Sequence, residues 1–400
     1  MTLQIPYDTS VLPVGVRSRF IDNTNGLLMH VLEAGHEGSN KPVILLLHGF
    51  PELAYSWRKI IPTLATAGFH VIAPDLRGYG RTLGWGPVHY DSDLTPFNLL
   101  NTVRDAIGLI NALGHEKIAG VVGHDYGASV AAWCALVRPD IFNRCVLMSA
   151  PFDGPPKIST EKDTEVPSSE NKIDIHQSMR ELARPRKHYH WYYSTEPANS
   201  DMTQCPQGIH KFLRAYYHHK SADWKANKPH KLQAWIANEL EKMPTYYIMD
   251  LDDTMPQAVG KEMPSHAEID ANSWLTDDEL AIYAEEYTRN GFQGGLNWYR
   301  RGTTGFDTKE LEIFSCKTID IPSCFISGSS DWGVFQRPGA AERMQDKVFT
   351  DMNDFHLIPG AGHWVQQEQP DETSKSLLRF FGRTNAKEID YFKVTCSHQG

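Results

Sequence analysis

The chain contains few cysteines, no long hydrophobic run and no excess of positive charge. Its six cysteines include no Cys-x-x-Cys pair, which argues against a disulfide scaffold or a zinc knuckle and favours a reducing compartment, the cytoplasm. The 39 basic residues are outnumbered by 49 acidic ones, so nucleic acids and anionic membranes are poor candidate partners. The strongest apolar run, Val43–Leu47, is too short to span a bilayer, and residues 1–12 lack a basic, apolar leader. The C-terminal residues, Cys396 to Gly400, carry no peroxisomal Ser-Lys-Leu address. We therefore expect a protein without a membrane span.

Short aliphatic runs alternate with helical patterns through the first 150 residues. Hydrophobic residues make up 41% and charged residues 22% of the chain, as in ordinary globular proteins. The alternation predicts an α/β fold, with a mainly parallel sheet and helices on both of its faces. The predicted elements are an edge hairpin (residues 17–22 and 27–32), strands at 43–47, 70–73, 118–122 and 145–148, and helices at 57–67, 95–113 and 128–138.

The pattern changes after Pro151. Residues 153–172 are rich in Pro, Ser, Glu and Lys, and the following stretch reads as helices crowded with Tyr, Trp and His. Strand patterns return at 323–327 and 355–358, followed by a helix over Pro370–Phe381. We therefore expect a helical lid at 151–303, inserted between two parts of one core at 1–150 and 304–400. The pattern makes no structural prediction for the tail, residues 385–400.

The segment Gly123-His124-Asp125-Tyr126-Gly127 has the small-x-nucleophile-x-small spacing of a sharp strand-to-helix turn. Such a turn exposes its central side chain, here Asp125, at the carboxyl edge of the sheet. The glycines matter because a β-carbon at either position would collide with neighbouring backbone. An ordinary Gly-flanked turn with a capping Asp is the competing interpretation.

Two later residues fit a catalytic turn of this kind, which requires an acid and then a histidine after late strands. Asp331 follows the predicted strand at 323–327, and His363 follows the strand at 355–358. Each alone could be an ordinary loop residue, but the order nucleophile, acid, histidine favours a triad of Asp125, Asp331 and His363.

His48-Gly49-Phe50-Pro51-Glu52 directly follows the first predicted parallel strand, where a backbone N–H could help to form an oxyanion hole. The N–H groups of Phe50 and Tyr126 are the candidate donors. Pro51 has no N–H and would fix the loop, so a purely structural tight turn is the alternative.

With these motifs in place, the sequence resembles the α/β-hydrolase fold superfamily and, within it, the soluble epoxide hydrolases, over nearly the whole chain. Two lid tyrosines bind and protonate the epoxide oxygen in that family. The resemblance implies Tyr299 as one and Tyr189 as the other, with Tyr192, Tyr193, Tyr216 and Tyr217 as rivals to Tyr189. The residue after the nucleophile is usually Trp in the family, whereas here it is Tyr126. The matching motifs are HGFPE at 48–52, DLRGYG at 75–80, GHD at 123–125, GFQGGLNWYR at 291–300 and GAGHW at 360–364.

An Asp nucleophile indicates attack on saturated carbon, because attack on an ester would give an anhydride. Asp125 would open an epoxide to an enzyme ester, and His363, oriented by Asp331, would activate the water that releases a vicinal diol. We expect no metal or other cofactor, since the pairs His188/His190 and His218/His219 lack further ligands at suitable spacing. The aromatic lid predicts a mainly apolar small-molecule substrate. The expected substrate contacts are His48, Pro51, Trp191, Tyr217, Trp298 and Trp364.

Three other functions fit the same motifs. A haloalkane or haloacid dehalogenase shares the Asp and His but needs halide donors, usually Trp or Asn, where this chain has Phe50 and Tyr126. An epoxide-opening cyclase would use an internal hydroxyl instead of water, and the motifs do not separate that case. A non-catalytic receptor on this scaffold would not need Asp125, Asp331 and His363 together.

Overall fold

The computed structural model describes residues 5–38, 40–158 and 174–382, and a mixed eight-stranded sheet runs through it. The strands of the described residues are β1 (Arg17–Asp22), β2 (Leu28–Ala34), β3 (Val43–Leu47), β4 (His70–Pro74), β5 (Gly120–His124), β6 (Cys145–Met148), β7 (Arg186–His188), β8 (Ile248–Asp250), β9 (Ser323–Gly328) and β10 (Met352–Ile358). The order of strands in the sheet is β1-β2-β4-β3-β5-β6-β9-β10; β2 is antiparallel to β1 and β4, and all other pairs of this sheet are parallel.

The central strands are buried along their whole length, as their continuous apolar runs predict. Every residue of β3, β4, β5, β6 and β9 is buried. Strands covered on both faces need apolar side chains at successive positions, so alternation is lost. The predicted edge hairpin is confirmed as β1 and β2, with Arg17 opposite Glu33.

Two groups of helices cover this sheet. The α-helices of the described residues, including those between β6 and β9, are α1 (Ile61–Thr66), α2 (Leu99–Ala112), α3 (Tyr126–Val137), α4 (Ile175–Arg180), α5 (Tyr189–Tyr193), α6 (Ala198–Thr203), α7 (Gly208–Lys220), α8 (Ala237–Leu240), α9 (Met255–Gly260), α10 (His266–Ala271), α11 (Asp277–Asn290), α12 (Gln293–Thr304), α13 (Thr308–Leu311), α14 (Ala340–Arg343), α15 (Val365–Glu368) and α16 (Pro370–Phe381). Helices α2 and α3 contact each other and strands β1, β3, β5 and β6, whereas α1 and α16 contact each other and β2, β4, β9 and β10. This is the predicted α/β fold.

Two predicted helices begin later than the sequence suggested, each for a local reason. The helix expected at 57–67 is a 3-10 turn, Ala54–Trp57, followed by α1, because Pro62 has no N–H and fits only the first turn of a helix. The helix expected at 95–113 starts at Leu99, where the Asn98 side chain accepts a hydrogen bond from the N–H of Asn101.

Helices α4 to α12 lie between β6 and β9 in the chain, and we call the described residues 174–304 the cap segment. The cap segment also contains a two-stranded antiparallel sheet of β7 and β8, which the sequence did not reveal. Both strands have only three residues, too few to show an alternating pattern. Helix α7 packs against α9 and α11, and α12 packs against α5.

None of the helices in the described ranges is long and apolar enough to cross a membrane. The tail at 385–400 and most of the stretch at 153–172 lie outside the described residues.

Candidate active site

The turn around Asp125 is as sharp as its glycines suggest. Asp125 lies between β5 and α3 with φ of 54°, a left-handed conformation that is strained for a residue with a β-carbon. A β-carbon on Gly123 would lie 1.9 Å from the carbonyl oxygen of Gly127, and one on Gly127 would lie 2.3 Å from that of Leu47. The three backbone segments therefore pack together only because both positions are glycine, and the turn presents the Asp125 carboxylate at the end of β5.

The sheet brings Asp125, Asp331 and His363 together. Asp331 follows β9 and His363 follows β10, so both reach the carboxyl edge of the sheet near the end of β5. His363 Nδ1 lies 3.1 Å from Asp331 Oδ1, and His363 Nε2 lies 3.4 Å from Asp125 Oδ2. All three side chains are buried. The imidazole of His363 thus lies between the carboxylates of Asp125 and Asp331, the three residues that the sequence predicts to form a triad.

Asp331 is fixed on both oxygens. Ser327 Oγ donates a hydrogen bond of 2.9 Å to Oδ2, and the N–H of Gly333 donates one of 2.7 Å to Oδ1. Burial favours the neutral acid, but the nearby His363 outweighs it and lowers the pKa of Asp331. Asp331 is therefore an ionised group that orients the imidazole and can stabilise its protonated form.

The Asp125 carboxylate has two different oxygens. Oδ1 accepts a hydrogen bond of 3.0 Å from the N–H of Phe50, whereas Oδ2 faces His363. Burial again favours the neutral acid, but His363 holds the pKa of Asp125 well below its usual range. Tyr126 is the first residue of α3, so its N–H has no acceptor within the helix.

A cavity of about 440 Å³ opens above Asp125, between the core and the cap segment. Tyr189 and Tyr299 both line it, with ring centroids 6.0 Å apart. Further rings on its wall come from Tyr126, Trp191 and Trp235. The cavity therefore joins the Asp125 carboxylate to two phenol groups within an aromatic enclosure.

Tyr299 is held close to Asp125 by the glycines at the start of α12. A β-carbon on Gly294 would lie 2.1 Å from the carbonyl oxygen of Gly78, and one on Gly295 would lie 2.7 Å from the Phe50 ring. Helix α12 can therefore approach the core until the Tyr299 ring meets Tyr126 edge-on, with centroids 4.7 Å apart.

Tyr189 is separated from its rivals by its hydroxyl group. The Tyr189 hydroxyl donates to Gln336 Oε1 at 3.2 Å and lies 2.8 Å from His190 Nε2. The hydroxyl groups of Tyr192 and Tyr217 instead bind Asp201 and the carbonyl of Pro51. Tyr193 and Tyr216 are buried in the cap segment and are absent from the cavity wall.

The predicted substrate contacts occupy different places. Trp191 lines the cavity, and the other five lie in the packing around it. Each of the five is fixed by a hydrogen bond: His48 Nε2 accepts from the N–H of Leu76, the Pro51 carbonyl accepts from Tyr217, Trp298 Nε1 donates to the carbonyl of Arg77, and Trp364 Nε1 donates to that of Tyr217.

The loop that carries His363 is tied to the end of α7 in the cap segment. The N–H of His363 donates to the carbonyl of Lys220 at 2.9 Å, and a β-carbon on Gly362 would lie 2.5 Å from the same oxygen. The Glu368 carboxylate accepts hydrogen bonds from the N–H groups of Ala222, Gly362 and Trp364. Burial raises the pKa of Glu368 to about 8.

A buried pair in the core, Glu52 and His124, also supports the loop that carries His363. The Glu52 carboxylate binds His124 Nδ1, and His124 Nε2 donates to the carbonyl of His363 at 2.7 Å. Burial disfavours a charged imidazole, but the Glu52 carboxylate outweighs it and raises the pKa of His124. Sequence reasoning missed the roles of Lys220, Glu368 and Gln336, because their contacts join segments that are far apart in the chain.

Within the described ranges, one group of three side chains could hold a metal ion: Cys324, Asp354 and His356, with ligand atoms within 4.8 Å of one another. The guanidinium of Arg379 lies 3.6 Å from Asp354, so a cation already faces this carboxylate. None of the three side chains lines the cavity above Asp125.

The geometry agrees with what comparisons with known proteins find. A family model described as alpha/beta hydrolase fold matches residues 42–370. Epoxide hydrolase A of Mycobacterium tuberculosis is 32% identical over 92% of this chain and 98% of its own length, and an epoxide hydrolase of Caballeronia sordidicola is 31% identical over 94% and 97%.

Solved structures give the same result. The crystal structure of epoxide hydrolase A from Mycobacterium thermoresistibile has a TM-score of 0.69 and 29% identity, covering 91% of this chain and 98% of that one. Potato epoxide hydrolase I has a TM-score of 0.68 and 27% identity, covering 92% and 100%. The chain belongs to the α/β-hydrolase fold family and, within it, to the epoxide hydrolases, and its site places one carboxylate, a His–Asp pair and two phenols around one cavity.

Proposed function

We propose that this epoxide hydrolase converts an epoxide to a vicinal diol in two steps, through an ester on Asp125. The observation that carries the proposal is the position of His363 between Asp125 and Asp331, beneath a cavity that also holds Tyr189 and Tyr299. Residues 1–150 and 304–400 would form the catalytic core and residues 151–303 the cap.

In the first step, Asp125 attacks a carbon of the epoxide ring. Oδ1 is already bound by the N–H of Phe50, which leaves Oδ2 as the attacking atom. As the new C–O bond forms, the ring C–O bond breaks and its electron pair stays on the departing oxygen. A phenol proton from Tyr189 or Tyr299 passes to that oxygen, leaving a phenolate. The product of this step is a hydroxyalkyl ester of Asp125.

In the second step, water attacks the ester carbonyl of Asp125. His363 takes a proton from the water, and Asp331 stabilises the resulting imidazolium. The negative charge that develops on Oδ1 meets the N–H groups of Phe50 and Tyr126. As the tetrahedral intermediate collapses, the bond between Oδ2 and the carbonyl carbon breaks, and the departing oxygen takes the remaining hydroxyl proton, which releases the diol and regenerates the carboxylate. The imidazolium then loses its proton to solvent, and the phenolate regains one.

The cavity supports a mainly apolar substrate. Its wall is rich in aromatic rings, and burial lowers the pKa of His188 well below its usual range, so this histidine is neutral. Every proposed step uses side chains and backbone N–H groups of this chain, and water. None of the five cysteines in the described residues forms a disulfide, which supports a cytoplasmic location.

The decisive experiment separates the two steps with His363→Gln. This variant should form the ester and hydrolyse it slowly, so the mass of the intact protein should rise by the mass of one epoxide. Asp125→Ala is the matched control and should gain no mass. If His363→Gln gains none either under single-turnover conditions, the two-step scheme is wrong.

Isotope labelling tests the site of water attack. In a single turnover of wild-type enzyme in ¹⁸O-water, the label should appear in the peptide that contains Asp125 and be absent from the diol, because water attacks the ester carbonyl. Label in the diol alone would indicate direct attack of water on the epoxide.

A parallel assay with haloalkanes and haloacetate separates the epoxide hydrolase from a dehalogenase. The enzyme should release no halide from these substrates. If it releases halide from them and forms no diol from epoxides, it is a dehalogenase.

A further inference from the structure

The two phenols above Asp125 have different surroundings. The Tyr189 hydroxyl contacts both Gln336 and His190, whereas the Tyr299 hydroxyl makes no hydrogen bond with any part of the chain that the structure describes. The protonation of the epoxide oxygen assigned above does not involve His190, although its ring lies on the cavity wall. The ring of His190 also lies 5.3 Å from that of Tyr299, centroid to centroid.

The directions of the hydrogen bonds at Tyr189 follow from its neighbours. Gln336 Nε2 donates to the carbonyl of Gly333 at 3.4 Å, which turns Oε1 of the same amide toward Tyr189. Gln336 Oε1 can only accept, so it takes the single phenol proton. His190 Nε2 is then the donor in its 2.8 Å contact with the phenol oxygen.

The imidazole of His190 is held in place for this contact. His190 is the second residue of α5, and its N–H donates to His188 Nδ1 at 3.2 Å. The His188 ring in turn stacks on Tyr189, with centroids 5.1 Å apart and planes 28° apart. Burial lowers the pKa of His190 to about 4, so near neutral pH the ring is uncharged and carries one N–H.

The phenolate of Tyr189 needs such a donor. Burial, and then the negative charge of Asp125, raise the pKa of Tyr189 well above its usual value. Losing the proton to the epoxide oxygen is therefore costly. A hydrogen bond that becomes charge-assisted as the proton leaves is stronger in the transition state than in the free enzyme, which is the condition for accelerating a reaction.

We propose that His190 is a positioning residue for epoxide opening, which holds the Tyr189 hydroxyl and donates a hydrogen bond to its oxygen as the proton passes to the substrate. This inference rests on the proposed function. When substrate binds, the phenol O–H turns from Gln336 to the epoxide oxygen, and the His190 N–H stays in place. One proton moves, from the Tyr189 oxygen to the oxygen that leaves the ring carbon, and His190 remains neutral throughout.

The test is a double-mutant cycle on the rate of ester formation, measured in single turnovers. His190→Phe keeps a ring and removes the N–H, and it should slow ester formation by about 10- to 100-fold, the usual loss for a hydrogen bond to a charged group. His190→Gln retains an N–H donor and should recover most of this loss. The rate of ester hydrolysis should change less than about twofold in both variants, because the second step does not use Tyr189 as the acid.

The cycle separates an effect through Tyr189 from a general disturbance of the cavity. In a Tyr189→Phe background, His190→Phe should cost less than about twofold, because the oxygen on which it acts is gone. A loss that is equally large in both backgrounds would overturn the proposal. Should His190→Phe fail to fold by circular dichroism, His190→Leu replaces it in the same cycle.

Ester formation by the wild-type enzyme tests the proposed function separately. If wild-type protein and His363→Gln form no ester, the two-step scheme and the role of His190 both fall. If the ester forms as fast in His190→Phe as in wild type, only the role of His190 is wrong.

Discussion

The core side and the cap side of the cavity place their reactive groups by different means. On the core side, Asp125, Asp331 and His363 each follow a parallel strand, so the hydrogen bonds of the sheet determine where they lie. On the cap side, Tyr189 and Tyr299 lie on α5 and α12, which reach the core through packed rings and a glycine contact. The proposed nucleophile and base are thus fixed by backbone, whereas the proposed acids depend on how the cap segment packs.

The partners of these groups show the same contrast. Asp331 and Asp125 each accept a hydrogen bond from a backbone N–H group, of Gly333 and Phe50, and Asp331 accepts a further one from Ser327 Oγ. Tyr189 contacts the side chains of Gln336 and His190. A side chain can be exchanged by a single substitution and a backbone N–H cannot, so we expect the cap side to be the more easily altered of the two.

Loss of Asp125 should have the largest effect. In the proposed mechanism the Asp125 carboxylate forms the bond to the substrate carbon, so Asp125→Ala should lower diol formation by at least about 10⁴-fold. Asp140→Ala is the matched control, because Asp140 is exposed beyond the other end of α3 and is paired with Arg138. Rates are measured by chromatography of the diol. Substantial diol formation by Asp125→Ala would remove the distinction between a core that reacts covalently and a cap that donates protons.

The cap side should show a smaller effect, confined to the first step. Tyr189→Phe and Tyr299→Phe should each slow ester formation by about 10²-fold, since one phenol remains in each variant to stabilise the departing oxygen. Tyr192→Phe is the control from the same helix as Tyr189; its hydroxyl binds Asp201 and should be dispensable. Rapid-quench measurements of ester formation and of ester decay distinguish the steps. An equal loss in both steps would mean that the cap also takes part in hydrolysis.

The smallest effect expected is that of pH on ester formation. His363 holds the pKa of Asp125 well below its usual range against the effect of burial, and burial raises the pKa of Tyr189 and Tyr299 well above theirs. Asp125 should stay ionised and both phenols neutral between about pH 5 and pH 9, so the rate of ester formation should vary less than about twofold over this range. Single-turnover rates in buffers of constant ionic strength provide the test. An inflection within the range, away from the pKa of about 8 of Glu368, would show that one of these groups titrates there.

The core could be predicted from the sequence because its signals are local. Continuous apolar runs gave the central strands, and the glycines at 123 and 127 gave the turn at Asp125. The predicted helix boundaries that were wrong depend on single residues, such as Pro62 in the first turn of α1. The sheet of β7 and β8 joins segments about 60 residues apart, and no local pattern indicates such a pairing.

The cap side of the site was harder to predict. The motif around Tyr299 was distinctive, but the sequence stretch around Tyr189 contains several tyrosines and only contacts separate them. In the sequence, His190 was a candidate only for metal binding. Its contact with the Tyr189 hydroxyl could not be predicted, because it depends on the geometry of α5. No sequence motif indicates that Gln336 contacts Tyr189, because a single Gln near Asp331 can have many roles.

The attachment of the His363 loop to α7 has a consequence for how substrate enters and diol leaves. If the end of α7 lifted away from the core, the hydrogen bond from the His363 N–H to Lys220 would break and the base would lose its alignment. The cavity also reaches Trp235 and Arg337, whose side chains are partly exposed. An opening on that side would leave this hydrogen bond intact, so in the proposed mechanism His363 would keep its alignment while one molecule replaces another.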